Sequence, residues 1–297
     1  MTDTQTRCGY VALVGRPNVG KSTLLNYVLK QKLAITSRKP QTTRHNLLGV
    51  DTEGRDQAIY VDTPGIHSNV GKALNRFMVG EAMSVMADVD VRVLVVEADK
   101  WRDSDQKVAD LLLKDSNKTN IVVLNKVDLV SQKEKLLPYI QRLSDIGFSH
   151  VVPLSALQDE GVESFRALIF SELPDAQHQF EKDQITDKSE RHLVAEIVRE
   201  KLMRQLGDEL PHSTAVMVVK FDQLPNHLDI HAEIYVERNG QKRIVVGTEG
   251  QRLKLIGQEA RKDIERLVDQ KVMLNLWVKV RKGWTNSASL LRQLGYD

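Results

Sequence analysis

Cysteine is almost missing from this 297-residue chain. Cys8 stands alone, so no disulfide within the chain can staple its fold. No apolar run approaches the roughly 18 residues of a membrane-spanning helix. The opening residues, Met1 to Arg7, lack the apolar core of a secretory signal. These absences point to a cytosolic protein. Charge of one sign is scarce too, since 42 Lys and Arg stand against 40 Asp and Glu. The near-balance hides an asymmetry. Residues 191–297 hold 18 basic and 14 acidic side chains, and the remainder holds 24 and 26. A cationic module behind a near-neutral one suggests a polyanionic partner. The length exceeds one ordinary domain and suits two.

What is present starts with Gly15-Arg16-Pro17-Asn18-Val19-Gly20-Lys21-Ser22. An apolar, strand-like run from Tyr10 to Val14 leads into it, and Lys21 to Leu29 has helical character. Gly15 and Gly20 bracket a turn in which backbone N–H groups can converge on anionic oxygens at a helix N-terminus. Lys21 is placed to neutralise β- and γ-phosphates, and the Ser22 hydroxyl to ligate Mg²⁺.

A second strand-like run, Ala58 to Val61, ends in Asp62-Thr63-Pro64-Gly65. In P-loop NTPases an acidic residue here holds the Mg²⁺ shell, and the Gly65 N–H can sense a γ-phosphate. A third run, Ile121 to Leu124, ends in Asn125-Lys126-Val127-Asp128. The Asp128 carboxylate can accept hydrogen bonds from the N1–H and exocyclic amine of guanine, a donor pair that adenine lacks. Ser155-Ala156-Leu157 follows strand-like Val151 to Leu154 and matches a loop whose backbone reads guanine O6. The expected ligand is therefore GTP or GDP, with Mg²⁺.

The polar stretch Ile35 to Asn46 contains Gln41-Thr42-Thr43-Arg44-His45 and reads as the first switch of a GTPase. Position in the motif favours Thr43 over Thr42 as the Mg²⁺ ligand, which gives Ser22, Thr43 and Asp62 as the metal set. Ras-like proteins carry a water-orienting glutamine after this glycine. Here that position is Ile66, whose alkyl group cannot orient water, so no residue is assigned as catalytic and slow intrinsic hydrolysis is expected. Nearby His67 could be a replacement base or a solvated side chain. Asn18 is a candidate ligand for K⁺, which would supply charge in place of an arginine finger.

The helical pattern ends near Leu173-Pro174, and residues 175–190 have the polar composition of a linker. A second unit then reads helix (Arg191 to Leu206), strand (Thr214 to Phe221), alternating strand (Leu228 to Glu237), amphipathic helix (Gln251 to Val268) and strand (Val272 to Val280). Gly247-Thr248-Glu249-Gly250 opens the second helix. Within this order a Gly-x-x-Gly loop is the KH signature, where backbone approaches a sugar–phosphate chain. Thr248-Glu249 departs from the basic residues common there, leaving Lys242, Arg252 and Lys254 to supply attraction. Gln251 continues the loop, and Arg281-Lys282-Gly283-Trp284 closes the last strand. Trp284 could stack on an unpaired base or cap the core.

The arrangement resembles the Era family of GTPases on Gly15–Ser22, Gln41–His45, Asp62–Gly65, Asn125–Asp128, Ser155–Leu157 and Gly247–Gly250. The expected fold is an α/β P-loop GTPase domain, its sheet mostly parallel with helices on both faces, over residues 1–174. A linker (175–190) and a smaller α+β, type II KH domain (191–297) follow. The resemblance implies a monomeric switch that binds the 3′ region of 16S rRNA and the 30S precursor during small-subunit maturation. It also implies a cytoplasmic location with some peripheral association with the inner membrane. The alternative is a membrane-associated signalling GTPase linked to cell-cycle control, which the lack of a basic amphipathic helix disfavours. If Asn18 recruits a monovalent cation, replacing K⁺ by Na⁺ lowers GTP turnover; a rate indifferent to the exchange removes that cation.

Overall fold

The computed structural model describes residues 6–37, 39, 42–66, 73–115, 118–207 and 213–293. Its contacts divide the chain into two compact units. The first takes in residues 1–36, 43–70 and 78–187, and the second takes in 37–42, 71–77 and 188–297.

The apolar runs of the first unit become the strands of one sheet. They are β1 (Arg7–Val14), β2 (Leu47–Glu53), β3 (Asp56–Asp62), β4 (Val91–Glu97), β5 (Thr119–Asn125) and β6 (His150–Pro153), ordered β2-β3-β1-β4-β5-β6. β2 and β3 form an antiparallel edge hairpin, while β3, β1, β4, β5 and β6 run parallel. Strands buried on both faces need no polar alternation, which explains their continuous apolar sequences. Successive residues feed opposite cores. Leu13, Val93 and Val123 pack with Leu24 of α1 (Lys21–Val28) and Phe165 of α5 (Val162–Glu172). Val14, Leu94 and Leu124 pack with Met86 of α2 (Ala73–Asp88), Val108 of α3 (Asp103–Leu112) and Leu143 of α4 (Leu136–Asp145). The carboxyl ends of the parallel strands thereby gather along one rim, where ligands bind in open α/β sheets.

The segment 175–190 differs from the free linker its composition suggests. Ala176 N donates to Thr6 O (3.0 Å), Val50 N donates to Ile185 O (2.9 Å), and the Thr186 hydroxyl donates to Leu48 O (2.7 Å). The buried Gln57 amide accepts from Gln179 N and Phe180 N and donates to Phe180 O. Polar residues here satisfy backbone groups, and the first unit extends to Asp187.

The second unit holds a three-stranded sheet, β7 (Ala215–Gln223), β8 (Leu228–Val236) and β9 (Val272–Val280), in that order. β7 is antiparallel to β8, and β9 parallel to it. One face packs Ile230, Ile234 and Val278 against Val194 and Val198 of α6 (Glu190–Gln205) and Ile256 and Ile264 of α8 (Gln251–Val268). Residues 239–246 form a further helix, α7 (Asn239–Val246), so the Gly-x-x-Gly loop joins two helices. A short helix, α9 (Ala288–Gln293), follows the last strand.

Trp284 is wholly buried, and its Nε1 donates to Ser213 O at 3.3 Å. Truncation here leaves a large cavity. Trp284→Ala should destabilise the second unit by about 3–5 kcal/mol in chemical denaturation, whereas Trp284→Phe should cost clearly less. Equal, negligible losses would show that the indole carries no packing load.

Candidate functional site

The phosphate loop leaves β1 at Gly15 and enters α1 after Gly20, both at positive φ. A Cβ at Gly15 would lie 2.4 Å from Val95 O, and one at Gly20 would lie 2.1 Å from the Asn125 amide nitrogen. Glycine is therefore required for contact as well as conformation. Val19 is buried and Pro17 half-buried, and Asn18 is exposed in the left-handed region. The α1 N-terminus has no side-chain cap, so its N–H groups remain available to an anion. Lys21 Nζ donates to the carbonyls of Gly15 (3.1 Å) and Arg16 (3.0 Å). Burial pushes its pKa down to about 8, against the opposing charge of Asp62. Such an ammonium, poorly solvated and held by two carbonyls, is poised for a stronger anionic partner.

Ser22, Thr43 and Asp62 converge from three separate segments. Ser22 Oγ lies 2.5 Å from Asp62 Oδ2 and 2.9 Å from Thr43 Oγ1, and Thr43 Oγ1 lies 3.2 Å from Asp62 Oδ2. Asp62 is wholly buried, and its Oδ1 has no hydrogen-bond partner among the described residues. Burial raises its pKa, opposed by Lys21, Ser22 and Thr43. An all-oxygen cluster with an orphaned carboxylate oxygen suits a hard cation, so the residues fit Mg²⁺. Thr42 instead groups with the second unit. Its hydroxyl bonds to Ser37 Oγ (2.9 Å) and Lys39 O (2.7 Å). Arg44 is buried and His45 half-buried; Gln41 lies outside the described residues.

Thr63 Oγ1 donates to Leu13 O, and Ile66 N donates to Gly15 O (3.1 Å). Pro64 is buried between them. Gly65 abuts the phosphate loop, where a Cβ would lie 2.6 Å from Pro17 N. The Ile66 side chain packs into the core shared with α2 and α3, so an alkyl group there serves packing. His67 lies outside the described residues.

Asn125 is the strut of the Asn125–Asp128 turn. Its Nδ2 donates to Val19 O (2.7 Å), while its Oδ1 accepts from Lys126 N (2.8 Å) and Ala156 N (3.0 Å). Lys126, at positive φ, donates to Asn18 O (2.8 Å) and the Glu97 carboxylate (2.5 Å). Burial pushes the Glu97 pKa up, but the Lys126 hydrogen bond and charge outweigh it, and the pKa falls below its ordinary value. Val127 is buried and anchors the motif. The exposed Asp128 carboxylate is oriented by the Ser155 hydroxyl, and Leu157 is exposed beside it in sequence with its carbonyl held by Tyr27. Glu97 and Asp105 were not anticipated. The signal existed in Val93–Val96, an apolar run that leads into Glu97 as the run Ile121–Leu124 leads into Asn125.

In the second unit Gly247 (φ 74°), Glu249 (φ 49°) and Gly250 (φ 77°) turn the chain sharply between α7 and α8. A Cβ on Gly247 would lie 2.7 Å from Arg252 Cβ, whereas one on Gly250 meets nothing within 4 Å. Thr248, Glu249, Gln251 and Lys254 are exposed. Arg252 donates to Ile244 O (2.6 Å), so it also closes the α7 C-terminus. Arg281 and Lys282 are exposed, with Arg281 over the Tyr235 ring at 5.2 Å. Trp284 corrects the stacking alternative: its buried indole offers no face to a base.

A family model described as 50S ribosome-binding GTPase matches residues 10–126, and a KH domain model matches residues 209–285. GTPase Era of Pseudomonas fluorescens is 55% identical over all of this chain and 99% of its own length. The chain belongs to the Era family of GTPases. Its fold is that family's, a P-loop GTPase unit followed by a KH unit, and its enzymatic activity is GTP hydrolysis. Among solved structures, Era in complex with MgGDPNP and nucleotides 1506–1542 of 16S ribosomal RNA is 39% identical. Its TM-score is 0.94, covering 98% of this chain and 99% of that one. Aquifex aeolicus Era bound to GDP·AlF4⁻, a single-residue variant, is 38% identical with the same TM-score.

The Ser22–Thr43–Asp62 cluster makes the two switch threonines separable. Thr43→Val should abolish the Mg²⁺-dependent gain in affinity for a GTP analogue over GDP, while Thr42→Val should retain it. Equal behaviour of the two variants in fluorescent-nucleotide titrations would refute the assignment of Thr43.

Proposed function

We propose that the protein is a GTP-gated RNA-binding switch that engages the 3′ region of 16S rRNA and acts in assembly of the small ribosomal subunit. The observation that carries this reading is the junction of two devices in one chain. A Ser22–Thr43–Asp62 oxygen cluster joins switch I to the phosphate loop, and a Gly247–Gly250 turn opens onto the α8 N-terminus. The relative seen with MgGDPNP and 16S nucleotides 1506–1542 supports both the ligand pair and the RNA.

GTP and Mg²⁺ order Thr43 and Gly65, and hydrolysis releases them, so the hold on RNA differs between nucleotide states. A GTPase domain over residues 1–174 and a KH RNA-binding domain over residues 191–297 are the working parts of this assignment. Exposed Lys242, Arg243 and Lys254 flank the loop and offset Glu249, whose carboxylate repels phosphate. K⁺ at Asn18 would add charge at the phosphates while Ile66 leaves water unoriented. Peripheral membrane association is a secondary expectation; among the described residues no helix is long and apolar enough to cross a membrane.

The test measures binding of a single-stranded RNA from the 16S 3′ end with GDP and with a non-hydrolysable GTP analogue. Gly250→Asp, checked by melting temperature, is the control: its side chain meets open space and places a charge at the loop, while the positive φ of 77° costs a non-glycine residue some strain. Binding about tenfold or more tighter with the analogue, and lost in Gly250→Asp, is expected. Tight binding indifferent to nucleotide would leave a constitutive RNA binder, and no binding by the folded protein would defeat the RNA assignment.

A further inference from the structure

The stretch from the end of β4 into α3 carries none of the sequence motifs of the site, yet one of its carboxylates contacts the phosphate loop and another reaches it through Lys126. Glu97 receives Lys126, whose Nζ also donates to Asn18 O. Asp105 is 0% exposed and works in two directions. One oxygen accepts from Arg16 Nε at 2.6 Å, and the other accepts from Arg102 N at 2.9 Å at the N-terminus of α3. The carboxylate is thus fixed to a helix before it holds the arginine. Arg16 is the second residue of the phosphate loop, and its own carbonyl accepts from Lys21 Nζ.

A carboxylate beside a phosphate site would repel the ligand if it were bare. Paired with a guanidinium it becomes neutral and directional, so its use here is geometric. The guanidinium is only partly employed: Arg16 Nη2 is buried and has no hydrogen-bond partner among the described residues. A contact made only to fill the core would not leave a donor of this kind unmet. What the Nε contact secures is the first turn of the loop, from which Gly15 and Arg16 present their carbonyls to Lys21.

We propose that Asp105 is a positioning residue for GTP hydrolysis, holding Arg16 so that the first turn of the phosphate loop aims the Lys21 ammonium at the transferred phosphoryl group. The group touches neither substrate nor metal. Its effect passes through Arg16 and its carbonyl, so it falls on alignment at the reacting phosphate more than on recognition of the base by Asp128. Small misplacements of this kind lower the chemical step more than ground-state binding.

The experiment compares full-length protein with Asp105→Asn, Arg16→Gln and the double variant. It reads kcat and KM for GTP, fluorescent-GDP affinity, preference for guanine over adenine nucleotides, and melting temperature. Each single change leaves one buried charge without its partner, and kcat should fall about tenfold to a hundredfold. KM and base preference should move far less. In the double variant glutamine places an amide nitrogen where Arg16 Nε stood, opposite a neutral asparagine. The asparagine offers one acceptor oxygen where Asp105 offers two, so the bond to position 16 is kept without either charge at the expense of the Arg102 N contact, and kcat should recover to a level clearly above both single variants. Wild-type kcat at saturating GTP in both single variants, measured well below their melting temperatures, would overturn the proposal and leave the pair a helix cap. If Asp105→Asn fails to fold, Arg16→Lys and Arg16→Ala decide the matter. The lysine ammonium sits one atom beyond the Nε position and preserves the pair, so it should keep a kcat that alanine loses; equal kcat in the two would overturn the proposal.

Discussion

The buried ammonium of Lys21 governs the first unit. An amine this poorly solvated needs fixed oxygen partners, and the carbonyls of Gly15 and Arg16 supply them only when the loop keeps one shape. That shape is imposed from outside the loop. Asn125 and Lys126 grip the carbonyls of Val19 and Asn18, Gly65 lies against Pro17, and Arg16 is tied to α3. The glycines follow from the same crowding, since a methyl group at position 15, 20 or 65 would collide with one of these supports. The loop is a small object under constraint from nearly every neighbouring segment, which suits a site whose rate depends on alignment.

The second unit solves a different problem with the same physics. Its Gly247–Gly250 loop turns sharply between two helices, with Gly247 and Gly250 at positive φ, and α8 begins without a side-chain cap, a geometry open to close approach by a polyanion. The loop carries the acidic Glu249 at its tip, and the exposed basic residues Lys242, Arg243 and Lys254 lie on its flanks. Arg252 is also engaged within the protein, where its guanidinium closes the end of α7. The large aromatic near the final strand is structural, its indole spent on the core and on the Ser213 carbonyl.

Much of the site was legible before the structure because its chemistry sits in contiguous motifs. Gly15–Ser22, Asp62–Gly65 and Asn125–Asp128 each follow an apolar strand, and the parallel sheet brings those strand ends to one rim. Other features depended on partners distant in sequence. Position in the motif favours Thr43 over Thr42, and the meeting of Thr43 with Ser22 and Asp62 gives that preference its physical ground. The polar stretch 175–190 reads as linker by composition, but its residues bond the edge of the first sheet. Trp284 offered two readings that burial alone distinguishes.

Local sequence therefore determined the chemistry: which turns could wrap phosphate, which carboxylate could discriminate guanine, and that a Gly-x-x-Gly helix start lay behind a nucleotide unit. Those are properties of residue type and short spacing, where backbone conformation and functional groups are set within a few positions. The tertiary structure decided which groups support that chemistry from afar. Asp105 joins Arg16 of the phosphate loop, Glu97 joins Lys126, and Gln57 binds the strap at Gln179 and Phe180, each across dozens of residues. Long-range pairs of this kind are chosen by strand order and helix packing, and no single segment contains the information to specify them.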